Sequence, residues 1–100
     1  MRGTGISKSV RQKVYERDSW DGAACCVYCG RPYPEIHHYI ERSRGGLGIE
    51  ENLVCLCTVC HKQLHDTGDK RIKRFIKEYL QEHYEGWAEE SLTGGKNDVY

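Results

Sequence analysis

A chain of 100 residues with 15 basic and 15 acidic side chains has no formal net charge, which by itself argues against a nucleic-acid partner. One domain of this size buries only about two-thirds of its unfolded surface, so its core is modest and a staple is useful. No apolar run is long enough to span a bilayer, which excludes a membrane-crossing helix.

The charge is unevenly spread. Residues 1–44 carry 8 basic against 5 acidic side chains, residues 45–69 carry 1 against 4, residues 70–77 carry 5 against 0, and residues 78–100 carry 1 against 6. Phosphate binding needs a local basic face, and an acidic tail elsewhere does not abolish one.

In chain order, residues 1–6 are Gly-rich and are expected to fray. Ser7 is an N-cap for a helix over about 8–17, with Val10, Val14 and Arg17 on one face and Lys8, Arg11 and Lys13 on others. That basic surface suits phosphate contacts, and equally a solvated face on a packed helix. Residues 18–24 read as a turn-rich connection. Arg31–Pro34 is a proline-spaced linker, residues 35–40 a strand, residues 41–51 a glycine-containing loop, and Leu53–Leu56 the returning strand. A helix over residues 58–66 ends near Gly68. A second helix, over 69–84, carries the apolar stripe Ile72, Phe75, Ile76, Tyr79 and Leu80, with Lys70, Arg71, Lys73, Arg74 and Lys77 on its other face. Trp87 and Leu92 are possible anchors for the acidic end, His83 is a surface residue, and residues 94–100 form a flexible tail.

Six cysteines could make three disulfides, but no hydrophobic secretory segment follows Met1 and the Cys-x-x-Cys pairs alternate with histidines. A reducing, cytoplasmic setting and metal binding are therefore expected. Cys26-x-x-Cys29 and Cys57-x-x-Cys60 form a two-knuckle, four-thiolate pattern that selects zinc as a structural ion. Such an ion contributes an apparent ~10–16 kcal/mol in small modules. Cys25 competes with Cys26 for the first ligand position; the spacing to Cys29 and the following Gly30 favour Cys26. Cys25 is then a free thiol. Strand alternation puts Val54 and Leu56 on one face and Cys55 with Cys57 on the other, with Cys55 read as core packing.

The histidines form a second pattern. His61 and His65, four apart on a helix, can face one metal ion. His37 and His38, adjacent on a strand, point to opposite sides, so one can ligate while the other stays free for proton transfer. Asn52 stands between the pairs, just before the second strand.

From about Val10 to His65 the chain resembles the HNH endonucleases, and more narrowly the small zinc-ribbon-containing members encoded by phages and prophages. The likeness rests on Cys-x-x-Cys-Gly, His-His, Arg-Ser-Arg-Gly-Gly, Asn-Leu-Val and Leu-Cys-x-x-Cys-His, in that order. It implies a small α+β fold: a ββα-metal (His-Me finger) core over about residues 35–66, a four-cysteine zinc-ribbon-like site, and flanking helices, within one domain over residues 7–93. It implies DNA phosphodiester hydrolysis by nicking or double-strand cleavage, leaving 5′-phosphate and 3′-hydroxyl ends. His38 would be the general base, with Asn52 holding it in place. His37, His61 and His65 would hold the catalytic divalent ion (Mg2+, Mn2+, Ni2+ or Zn2+), which makes His61 part of the catalytic set.

The DNA-binding candidates are Arg42 or Arg44 in the glycine loop, with Lys8, Arg11 and Lys73. Glu35 is a further candidate. The resemblance also implies a bacterial host cytoplasm, DNA processing or packaging beside a phage terminase, and a monomer or weak oligomer. No further domain for long-site recognition is visible, which favours low specificity or a partner that supplies targeting. Two other readings compete, a homing or restriction-type nuclease and a non-catalytic zinc-ribbon nucleic-acid-binding module.

Overall fold

The structure is a computed structural model that describes residues 3–93. The expected tail over 94–100 lies outside the described residues.

Helix α1 spans Lys8–Arg17, and the Ser7 side chain caps it by accepting from the Val10 amide at 3.2 Å. A two-stranded hairpin follows, β1 (Ser19–Trp20) against β2 (Ala23–Ala24). It gives paired strands around the turn in the turn-rich connection expected there. The cause is local: Asp21 and Gly22 both take positive φ, at 54° and 84°, as a type I′ turn requires.

The central hairpin pairs β3 (Glu35–His38) antiparallel with β4 (Leu53–Leu56), in the register Glu35–Leu56, Ile36–Cys55, His37–Val54 and His38–Leu53. Helix α2 spans Thr58–Thr67 and α3 spans Lys70–His83. The core is thus the expected ββα unit with flanking helices. The long connection between β3 and β4 contains 3-10 turns at Arg42–Arg44 and Glu50–Asn52.

All four β4 residues are buried because the strand is covered on both faces. Leu53 and Cys55 pack with Val14 of α1, while Val54 and Leu56 pack with Ile72, Ile76 and Leu80 of α3. An unbroken apolar run is what such a strand requires. Cys57 departs from expectation, lying with Val54 and Leu56 rather than with Cys55. The strand ends at Leu56, and Cys57 is already the N-cap of α2, so the period-two alternation does not reach it.

On α3, Ile72, Ile76 and Leu80 form the buried stripe. Phe75 stays partly exposed, edge-on to Tyr28 at 5.3 Å between ring centroids. Leu92 is buried, and the Trp87 indole donates to the Glu51 carbonyl at 2.7 Å, so both anchor the segment after α3. Residues 3–6 make contacts that a frayed lead does not include. The Gly3 carbonyl accepts from the Gly48 amide at 3.1 Å, and Ile6 packs beside Val14.

Candidate metal centre and histidine cleft

The four expected cysteines converge. The Sγ atoms of Cys26, Cys29, Cys57 and Cys60 all lie within 4.8 Å of one another, a cluster able to coordinate a metal ion. Each knuckle turns an amide toward a sulfur, Cys29 N to Cys26 Sγ at 3.4 Å and Cys60 N to Cys57 Sγ at 3.3 Å. Gly30, at φ 84°, closes the first knuckle with its amide on the Cys26 carbonyl at 3.0 Å. Burial pushes the Cys57 thiol up, but the Cys60 amide and the neighbouring thiols outweigh it and bring the thiol down to about 6. That favours a thiolate at Cys57, while burial first and the neighbouring thiols second push the Cys60 thiol up. Cys55 is fully buried in the apolar cluster under α1, where burial first and the nearby Asp18 charge second push its thiol up to about 12. Cys25 donates weakly to the Asp18 carbonyl at 3.8 Å. Neither belongs to the cluster.

The histidines meet in one cleft of about 720 Å³, whose walls include His37, His38, His61 and His65 together with Arg11 and Arg42. The β3–β4 register and the start of α2 bring His37 edge-on to His61, with ring centroids 4.8 Å apart. Glu35, at the start of β3, accepts a hydrogen bond from His61 Nδ1 at 2.6 Å. A carboxylate can only accept from that nitrogen, so the neutral imidazole of His61 carries its lone pair on Nε2. Burial and the neighbouring His61 and His38 charges hold the His37 imidazole down to about 3, so it stays neutral and able to ligate. Among the described residues the cysteines alone bring three or more candidate ligand atoms within 4.8 Å of one another. The three histidines supply the right donor chemistry around one cleft without converging to that degree.

His38, the last residue of β3, also borders this cleft, from the strand face opposite His37, since it pairs with Leu53 on the α1 side and His37 with Val54 on the α3 side. Its Nε2 lies 2.9 Å from the Thr4 carbonyl, which can only accept, so Nδ1 keeps the lone pair. Burial holds this imidazole below its ordinary value, against the pull of the Thr4 carbonyl, and the Arg42 charge adds to the lowering. Asn52 is fully buried behind it and satisfied at both ends of its amide. Its Oδ1 accepts from the Ile40 amide at 2.8 Å, and its Nδ2 donates to the Leu47 carbonyl at 2.9 Å and the Ile40 carbonyl at 3.2 Å. Its own carbonyl accepts from the Tyr39 amide at 2.7 Å, so the chain leaving His38 is stapled on both sides.

The basic candidates separate. Arg11 and Arg42 line the histidine cleft, Lys8 lines a groove between α1 and the β1–β2 hairpin, and Lys73 lines a groove shared with His37 and His65. Arg44 is exposed and lines none of these. His83, with Nδ1 on the Tyr79 carbonyl at 2.8 Å, takes no part in the cleft. Two contacts were not legible in the sequence: the Thr4 carbonyl on His38, which leaves no local signal, and the pairing of Glu35 with His61.

A ββα unit flanked by helices thus carries a four-cysteine cluster able to coordinate a metal ion, and four histidines around one cleft. Residues 26–67 match the family described as HNH endonuclease. The chain is also similar to the type IV methyl-directed restriction enzyme EcoKMcrA of Escherichia coli (strain K12), 38% identical over 71 residues, covering 54% of this chain and 26% of that protein. Among solved structures it resembles the type IV phosphorothioation-dependent restriction endonuclease ScoMcrA, with a TM-score of 0.52 and 23% identity. That match covers 78% of this chain and 17% of the other, and it shows a shared fold. The chain therefore spans about a quarter of its curated relative. No helix among the described residues is long and apolar enough to cross a membrane.

Proposed function

We propose that this chain is a metal-dependent HNH endonuclease module that hydrolyses DNA phosphodiester bonds, with zinc held by Cys26, Cys29, Cys57 and Cys60. The observation that carries this reading is the cleft shared by His37, His38, His61 and His65, with Asn52 stapling the turn behind His38. A divalent ion held by His37, His61 and His65 would supply Lewis-acid stabilisation of charge on the phosphoryl group and the departing oxygen.

The chain's own residues do the rest. His38 Nδ1 takes a proton from the attacking water, its neutral form favoured by burial and its ring oriented by the Thr4 carbonyl. Water attacks phosphorus, the P–O3′ bond breaks, and the departing O3′ takes a proton from solvent, leaving 5′-phosphate and 3′-hydroxyl ends. Asn52 keeps the base in place, Glu35 orients His61, and Arg11 and Arg42 place positive charge where the phosphate enters. A single site of this kind cuts one strand at a time.

The similarity to a methyl-directed restriction enzyme supports restriction-type cleavage as the setting. A packaging role beside a phage terminase, and a bacterial cytoplasmic location, have only the sequence resemblance behind them. The test is supercoiled plasmid with the zinc-loaded protein, titrated with magnesium, manganese, nickel and zinc. Wild-type protein converts it to nicked circles in a metal-dependent way, and His38→Ala loses about 10²–10⁴ in rate while still binding DNA. Equal cleavage by the variant would remove His38 from the mechanism. No cleavage by folded protein with any ion would favour a binding module.

A further inference from the structure

The two faces of the central hairpin carry different parts of the histidine site. His38 pairs with Leu53 on the α1 side, and Arg11 of α1 lines the cleft with it. His37 pairs with Val54 on the opposite, α3 side, where a groove of about 270 Å³ opens between β3, the end of α2 and α3. Groove and cleft share His37, Glu41 and His65, so the two spaces meet at the histidines. Lys73 is the cation of the groove and Glu41 its one acid.

The ammonium of Lys73 is held in a fixed position. It stands 5.1 Å from the centre of the Tyr39 ring. Tyr39 is buried, with Trp87 edge-on at 5.7 Å between ring centroids and its hydroxyl donating to Glu89 at 2.8 Å. Glu89 is therefore occupied, and it pairs with Lys77 at 3.2 Å. Arg71 is likewise paired, with Asp69 at 3.4 Å, whereas Lys73 forms no ion pair among the described residues. Lys70 and Arg74 line neither the groove nor the cleft. Of the cations on α3, Lys73 alone is placed beside the histidines with its charge left for an anion from outside.

Displacement at phosphorus is in line, with the attacking and departing oxygens on opposite sides of the reacting atom. His38 draws its proton from water on the α1 side of the hairpin, so the departing O3′ and the nucleotide that carries it point toward α3. That nucleotide's own phosphate, one step to the 5′ side of the cut, is then carried into the groove where Lys73 stands.

We propose that the groove between α2 and α3 seats the departing end of the cut strand, with Lys73 pairing with the phosphate one nucleotide to the 5′ side of the cut. This rests on the DNA-cleaving reading and assigns a strand polarity to that site. Lys73 is a positioning residue, because it meets a neighbouring phosphate and not the reacting one.

The test uses the full zinc-loaded chain as Lys73→Met, which keeps a stem on Tyr39 and drops the charge, and as Lys73→Arg, which keeps both. On supercoiled plasmid at saturating DNA, Lys73→Met nicks more slowly on the order of tenfold, with its divalent-ion requirement and melting temperature unchanged. In the His38→Ala background it lowers the salt slope of duplex binding by about one. Lys73→Arg keeps the parent's values, and so does Lys70→Met, which removes a charge from the same helix outside the groove. Polarity is read on a duplex oligonucleotide whose cut has been mapped. A neutral methylphosphonate one step to the 5′ side of the cut slows the parent as much as Lys73→Met does, and slows Lys73→Met no further. The same replacement one step to the 3′ side slows both proteins equally. An exchange of those two results overturns the polarity. An unchanged rate and salt slope in Lys73→Met overturn the seat, and so does a shifted ion requirement with the salt slope intact, which would place Lys73 behind His37. A parent that nicks no DNA with any ion defeats the DNA-cleaving reading itself.

Discussion

Arg17 grips the carboxylate of its chain neighbour Asp18 with two parallel hydrogen bonds, Nε to Oδ1 at 2.6 Å and Nη2 to Oδ2 at 2.8 Å. The pair lies between α1, β4 and α3. Arg17 also donates to the Leu53 carbonyl at 2.6 Å, and to the Glu50 carbonyl and the Tyr84 hydroxyl at 2.9 Å each. Asp18 accepts from the Cys55 amide at 2.9 Å and from the Tyr79 hydroxyl. The arginine on the inner face of the basic helix is thus a structural hub, whereas Lys8 and Arg11 face outward.

Breaking this pair leaves a buried charge without its partner. The Asp18 side chain is fully buried and that of Arg17 is 11% exposed, so Asp18→Asn or Arg17→Met should each cost about 3–5 kcal/mol of stability. The double variant should lose less than the sum, because neither charge is then stranded. Urea denaturation of the zinc-loaded proteins measures both quantities, and strict additivity would contradict the coupling.

The ββα core was legible because its residues carry two signals at once. His37, His61 and the cysteine knuckles mark the order of elements through the spacing of metal-ligating residue types, while Leu53–Leu56 and the Ile72, Ile76, Leu80 stripe mark it through burial. Where a single signal was available, the reading failed or stopped short. Alternation alone put Cys57 on the wrong side of the sheet. The Asp21–Gly22 pair, a two-residue hairpin signal, was read only as a turn. The Arg17–Asp18 hub joins residues up to 67 positions apart and has no local pattern. The same holds for Thr4 and His38, which are 34 positions apart.

The cysteine cluster should govern folding. Its ligands come from the knuckle before β3 and from the start of α2, so one ion would tie together segments that a modest core holds weakly. Cys57→Ser, or chelation at neutral pH, should abolish the cooperative thermal transition and release one zinc per chain. Cys55→Ala should retain the zinc and lose only packing. Equal zinc loss from both variants would put Cys55 among the ligands.

Gly48 is the point where the N-terminal segment crosses the central loop. A Cβ there would meet the Gly5 carbonyl oxygen at 2.0 Å, closer than any relaxed contact, so Gly48→Ala must push residues 3–5 off the loop. The Gly3–Gly48 hydrogen bond and the Thr4 contact with His38 go with them. Nicking should slow on the order of tenfold, the effect of losing about one orienting hydrogen bond to a neutral group, while the cysteine site stays loaded. An unchanged rate would show that His38 does not depend on the Thr4 carbonyl.

Glu35 offers the sharpest separation of metal binding from proton transfer. Its carboxylate accepts from His61 Nδ1 from outside the proposed ligand set, and such partners typically change metal affinity by about 10–100-fold. Glu35→Gln still offers an acceptor oxygen but loses the negative charge that strengthens imidazole as a donor. The divalent ion concentration for half-maximal nicking should therefore rise by about that factor, while the rate at saturating ion stays close to that of the wild type. His38→Ala should show the opposite pattern, with its half-saturating ion concentration retained and its maximal rate lost. If Glu35→Gln instead lowered the saturated rate without shifting the metal requirement, Glu35 would act on the chemical step and His61 would not be its route.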